Sequence, residues 1–176
     1  MSGASPTPDT GEVPHAVASA LASYAADEGS FADALAAVLD SRLLLALVEV
    51  PASTFAEPEG HDHHGHDDHQ DAAPDHHHGD TAMAAVSIQR PDGLRGLLAF
   101  TGTEPLRRYD ATARPLPVTG REAAETALRD GAAALLVDLA GPVRLVVDGE
   151  DLAGMAAGWT LGRVGERSVW IRPAAE

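Results

Sequence analysis

The sequence predicts an α/β (α+β) fold: a single small domain with a mixed sheet flanked by helices. Three observations predict it. Short, continuously apolar runs such as "RLLLALVEVP" and "AALLVDL" have the length and punctuation of buried strands. "AMAAVSIQ" and "LRGLLAF" flank "RPDG" as hairpin strands flank a turn. Segments with helical spacing interleave with these, giving the order αα-β-ββ-α-β-α-ββ-α-ββ, a layered mixed-sheet pattern. With 176 residues the chain is long enough for one domain.

Taken in order, residues 1–12, "MSGASPTPDTGE", have the composition of a disordered tail, and the domain is expected over 13–176. In "PHAVASALASYAA", Val17, Leu21 and Tyr24 share a helical face. In "SFADALAAVLDS", Ser30 and Asp33 stand at N-cap and N3 spacing, with Phe31, Leu35, Val38 and Leu39 as the apolar stripe. "RLLLALVEVP" reads as a strand that Pro51 stops. The pattern then lapses over 52–81 and resumes at "AMAAVSIQ", where Ala84, Val86 and Ile88 alternate with Ser87 and Gln89.

"TGTEPLRRY" is a short helix with Thr103 as its expected cap and Pro105 in the first turn. "RPLPV" is a short extended piece. "TGREAAETALRDG" carries a capping box in Thr119 and Glu122, a face of Ala123, Ala124, Ala127 and Leu128, and Gly131 as a stop. "AALLVDL" and "VRLVV" are strands around an "AGP" turn. "DGEDLAGMAAG" is a helix capped by Asp148, and "WTLGRVGERSVWIRP" is a final hairpin turning at residues 165–167, with Trp159 and Trp170 covering an edge of the core.

The run from "GLLAFTGTEPL" to "DLAGPVRLVV" resembles the N-terminal domain of the SseB (enhanced serine sensitivity) family: a strand ending in Phe100-Thr101, a short helix, a capped helix, then a strand leading into Asp138, Ala140, Gly141 and Pro142. Gly102 departs from it, a Ser more often following Phe-Thr. With the strand at 43–51 the resemblance covers residues 30–155. It implies a small bacterial α/β domain without an established catalytic residue set, and so a protein-interaction module with an unidentified protein partner, not an enzyme.

The segment the pattern leaves out has its own chemistry. Eight of the nine histidines fall here: His61, His63, His64, His66, His69, His76, His77 and His78. They are interleaved with Asp62, Asp67, Asp68, Asp71, Asp75 and Asp80, so 52–81 is expected to be a long disordered loop. Neutral imidazole is a good ligand for Zn(II), Ni(II), Co(II) and Cu(II), and carboxylates complete the shell; Zn(II) or Ni(II) is the expected ion. These histidines, with Asp62, Asp67 and Asp68, are therefore the candidate metal ligands, and Gly60, Gly65 and Gly79 let backbone fold round an ion. A catalytic metal site needs a fixed ligand set with an open position, and interchangeable ligands provide neither. The alternative is a plain interaction domain in which this stretch is a dispensable linker. A metal-free use is also open: protonating eight histidines would cancel the segment's charge and compact it near pH ~6.

Charge narrows the partners. Of the net charge of −15, residues 57–80 carry eight acidic groups and no arginine, and the chain has no lysine. Phosphate backbones and anionic membranes are repelled, so cations are the fitting partners and nucleic acid and membrane are not. The absence of cysteine excludes disulfides, thiolate sites and cysteine nucleophiles. The first thirty residues show no basic start with an apolar stretch, which makes the cytoplasm the expected location. Nucleophile-elbow, P-loop and dinucleotide motifs do not occur. Two weaker constellations are Thr101-Gly102-Thr103, which could hold a small anion on backbone N–H groups, and Arg107, Arg108 and Tyr109 as a partner surface.

Overall fold

The computed structural model describes residues 11–55, 81–164 and 167–173. The helices are α1 His15–Ala25, α2 Phe31–Leu39, α3 Thr103–Tyr109, α4 Gly120–Arg129 and α5 Gly149–Ala156. The strands are β1 Arg42–Pro51, β2 Thr81–Ala85, β3 Ser87–Gln89, β4 Arg95–Phe100, β5 Arg114–Thr119, β6 Ala134–Val137, β7 Leu145–Asp148, β8 Thr160–Val164 and β9 Arg167–Ile171. A short 3-10 turn, Ala52–Phe55, follows β1. No described helix is long and apolar enough to cross a membrane.

Seven strands form one mixed sheet with the main order β2-β1-β4-β6-β7, and β5 lies along β1 while β3 lies along β4. Only β4 and β6 run parallel, as the long connection through α3, β5 and α4 requires. The apolar continuity of β1 follows from burial on both faces: Leu43 and Leu45 join the core beneath the helices, while Leu44 and Ala46 face the opposite core with Phe100 and Leu106. The first core collects Val17 and Leu21 of α1, Leu35 and Val38 of α2, three alanines of α4, and Leu152 and Met155 of α5. Ala123, Ala124 and Ala127 are wholly buried, so the small residues of α4 are what let its backbone lie close on the sheet. On the other face α3 alone supplies a helical cover.

Both expected capping boxes are present. Ser30 accepts from the Asp33 N–H and Thr119 from the Glu122 N–H, and each carboxylate accepts from its cap residue's N–H. Gly131 follows α4 with φ +70°, the left-handed geometry a helix stop favours. β5 carries Pro115 and Pro117 opposite Ala46 and Leu44. Proline lacks a donor, so this strand sits at the sheet edge, and the extended piece is a full six-residue strand.

Four local expectations are corrected. "AMAAVSIQ" is two strands with different partners: β2 pairs with β1, β3 pairs with β4, and the chain turns at Val86. There the Val86 N–H donates to the Ala46 carbonyl and its carbonyl accepts from Leu98 N–H. β1 and β4 pair only at Leu44–Phe100 and Leu45–Ala99 and then diverge, and β2 and β3 fill the fork. Thr103 is not the cap of α3; Gly102 is, and the Thr103 N–H donates instead to the Gly11 carbonyl at 2.7 Å. Leu128 lies off the buried face of α4, 46 % exposed. Asp148 stands at the cap of α5 but its side chain makes no capping bond.

The final hairpin, β8 with β9, is a separate two-stranded sheet. Trp170 packs on the main core as expected. Trp159 instead lies under the Arg172 guanidinium, 4.2 Å from its ring centroid. Residues 1–10 of the expected tail lie outside the described residues, while the Gly11 and Glu12 carbonyls accept bonds from Thr103 and Arg42.

Candidate functional site

Where β4 and β6 end side by side, their next residues meet. Asp138, 4 % exposed, accepts from Thr101 twice: from its N–H at 2.9 Å and from its hydroxyl at 2.6 Å. The Asp138 N–H donates to the Ala99 carbonyl, and its own carbonyl accepts from Gly141, closing a turn. Its φ of +53° is one that Asp tolerates better than most residues. Burial pushes the Asp138 carboxyl above its ordinary range, and the two bonds from Thr101 pull it back.

The carboxyl ends of strands in an open sheet are where such folds commonly bind ligands. Here that position is filled by the protein's own carboxylate. The Thr101 N–H serves Asp138 and the Thr103 N–H serves Gly11, so two of the three N–H donors of the expected anion cradle at residues 101–103 are already committed. Asp138 thus closes a turn and acts as a buried acceptor that ties two strand ends together.

The cavities are shallow surface features. The fork between β2 and β3 opens a cleft of about 570 Å³ lined by Val50, Met83, Ser87, Arg95 and Asp130. On the face that α3 leaves uncovered, Ile88, Leu94, Leu136 and Val146 line an apolar hollow of about 300 Å³. Neither brings together a nucleophile, a base and an orienting group. On α3, Arg108 pairs with Glu104 at 2.8 Å, and Tyr109 packs against Phe100 with ring centroids 5.6 Å apart. Of the three residues considered as a partner surface, Tyr109 is thus half-buried and Arg108 is paired, while Arg107 is exposed.

The candidate ligands His61, His63, His64, His66, His69, His76, His77, His78, Asp62, Asp67 and Asp68 all lie outside the described residues. Among the described residues no group of three His, Asp or Glu could hold a metal ion, and His15 stands exposed at the start of α1. The structure does fix the two ends of the segment. β1 and β2 are adjacent antiparallel neighbours, with Pro51 opposite Thr81. Residues 52–80 therefore connect two paired strands.

Two features went unread in the sequence. The pairing of Thr101 with Asp138 spans 37 residues, and the only signal was the presence of both in one family pattern. The outward face of β7, with Val146 and Asp148 and with Arg144 just before it, was signalled by the period of two in "RLVVD".

The model of the SseB protein N-terminal domain matches residues 17–154. The match takes in both members of the Thr101–Asp138 pair and all seven strands of the main sheet, and it stops before the final hairpin. No curated protein and no solved structure matches the chain.

Proposed function

Because the chain belongs to the SseB N-terminal-domain family, whose members are non-catalytic protein-interaction modules, we propose that it is a non-enzymatic interaction module that carries a divalent-metal-binding segment. The supporting observation is the concentration of eight histidines and six aspartates between residues 61 and 80, in a stretch joined to the fold through two paired strand ends. Histidine nitrogen with carboxylate oxygen suits Zn(II) or Ni(II), and the lack of cysteine disfavours Cu(I). At about four ligands per tetrahedral ion, eight histidines serve roughly two ions. Ligation needs neutral imidazole, so affinity falls as pH drops through ~6.5. The metal-loaded segment would then act either as a buffer or as a handle presented to a protein partner.

Calorimetry with Zn(II) and with Ni(II), on the intact chain and on a variant lacking residues 60–80, tests the reading. Binding to the intact chain alone supports it. Equal binding to both, or to neither, removes the metal and leaves a plain interaction domain with a dispensable connection.

A further inference from the structure

The two edges of the main sheet are unlike. At one edge β5 carries Pro115 and Pro117, a common protection against unwanted strand addition. At the other edge the four-residue β7 carries no proline. It pairs with β6 on one side, and on its other side its backbone groups meet no backbone partner among the described residues.

Val146 and Asp148 are exposed on the outward face of β7, and exposed Arg144 immediately precedes the strand at the same period of two, while Leu145 and Val147 are buried in the core. Val146 is 49 % exposed and continues the apolar hollow formed with Ile88, Leu94 and Leu136. Neither the Arg144 nor the Asp148 side chain has a hydrogen-bond or ion-pair partner among the described residues. Four residues apart on a strand, they are about 13 Å from each other and cannot pair within one chain.

From this edge we propose that the chain self-associates through β7, a second copy adding antiparallel with the two-fold axis at Val146. The pattern is self-complementary. With Val146 opposite Val146 of the second copy, Arg144 falls opposite Asp148 of the second copy, and Asp148 opposite its Arg144. Directly opposed side chains in such a pair have Cβ atoms about 4.5–5.5 Å apart, where opposite charges attract and like charges repel. The free backbone groups of both edges are satisfied at once, as strand addition requires, and the two apolar hollows flank the axis. A two-fold pairing of one patch with itself is the commonest way for a chain to dimerise. The net charge of −15 per copy opposes association, and physiological salt screens it beyond about 8 Å.

Sedimentation equilibrium at physiological salt, with EDTA present to exclude metal cross-linking, reads the outcome independently of the metal reading above. The wild-type chain is expected to move from 18.2 kDa toward twice that mass as concentration rises. Arg144→Asp and Asp148→Arg each oppose like charges and should weaken the dimer at least about tenfold. Mixing these two variants restores both opposite-charge pairs, so the mixture should dimerise where each alone does not, and the double reversal should dimerise like wild type. Rescue by mixing cannot come from a folding defect. A wild-type chain that stays monomeric to about 1 mM, single variants that dimerise like wild type, or a mixture that stays monomeric would each overturn the proposal.

Discussion

Trp170 lies directly on Gly154: a Cβ placed at Gly154 would come within 2.5 Å of the indole Cδ2. The same indole donates from Nε1 to Asp151 Oδ1 at 2.8 Å. The hairpin of β8 and β9 pairs with no strand of the main sheet; this contact, Leu161 packing on the core and the Arg163–Asp33 ion pair at 2.7 Å join it to the rest of the fold. Replacing Gly154 by Ala improves helix propensity by about 1 kcal/mol, but forcing a methyl into the ring costs about 1–3 kcal/mol. We expect Gly154→Ala to destabilise the chain in urea titration and to stabilise it by about 1 kcal/mol when Trp170 is also Ala. A Gly154→Ala variant more stable than wild type would show that the hairpin does not rest there.

Asp138 should respond to pH opposite to an ordinary surface carboxylate. Its folded pKa is raised, chiefly by burial, so its contribution to stability is greatest below the ordinary carboxylate range and is lost as pH rises through the folded value. Asp138→Asn keeps an acceptor for the Thr101 N–H, offers a donor to its hydroxyl, and tolerates the positive φ. It should cost under about 1 kcal/mol and remove this part of the pH dependence. Asp138→Ala leaves a buried N–H without its acceptor, about 1–3 kcal/mol, and adds left-handed strain of about 1 kcal/mol. Equal stability curves for the Asn and Ala variants across pH would refute the clasp.

The two capping boxes titrate the other way. Bonds from Ser30, then the Arg163 charge, hold Asp33 below its ordinary range, and bonds from Thr119 do the same for Glu122. Their contribution is present above the ordinary carboxylate range and is lost as pH falls through the lowered folded values. Ser30→Ala and Thr119→Ala should each lower stability by about 1 kcal/mol at neutral pH. The deficit relative to wild type should shrink in acid, where the boxes are already broken. A deficit constant with pH would place the loss elsewhere.

These comparisons separate what neighbouring residues determine from what the whole fold determines. Ser30 with Asp33 and Thr119 with Glu122 announce themselves because both partners lie within one turn, and the apolar run of β1 is legible because two-sided burial leaves no room for polar residues. Val86 gave no local sign of a corner. Its alternation with Ala84 and Ile88 suits one straight strand, and only the divergence of β1 from β4, which pair at two positions, makes the chain change partners. Thr103 misled for the same reason: it is a good cap by type, but Gly11, 92 residues upstream, takes its N–H. Thr101 and Asp138 belong to one family pattern, yet their hydrogen bonds depend on the parallel register of β4 and β6, which no local spacing encodes. The histidine segment is the reverse case. Its residue types are plain in the sequence, and it lies outside the described residues.

The contribution of that segment to stability can be measured. Pro51 and Thr81 face each other in register, so 29 residues, 52–80, join two strands already paired. Deleting residues 60–80 shortens this connection to eight residues. Closure entropy rises with the logarithm of length, and the shortening should favour the folded state by about 1 kcal/mol if the segment packs against nothing. The expected result is a melting temperature equal to or slightly above that of the intact chain in EDTA. Saturating Zn(II) or Ni(II) should change melting only of the intact chain, and less at pH 5.5 than at pH 7.5, since protonated imidazole does not ligate. A deletion variant that melts well below the intact chain would mean that the segment belongs to the folded core. It could then no longer be treated as a metal-binding insertion on a sheet that closes by itself.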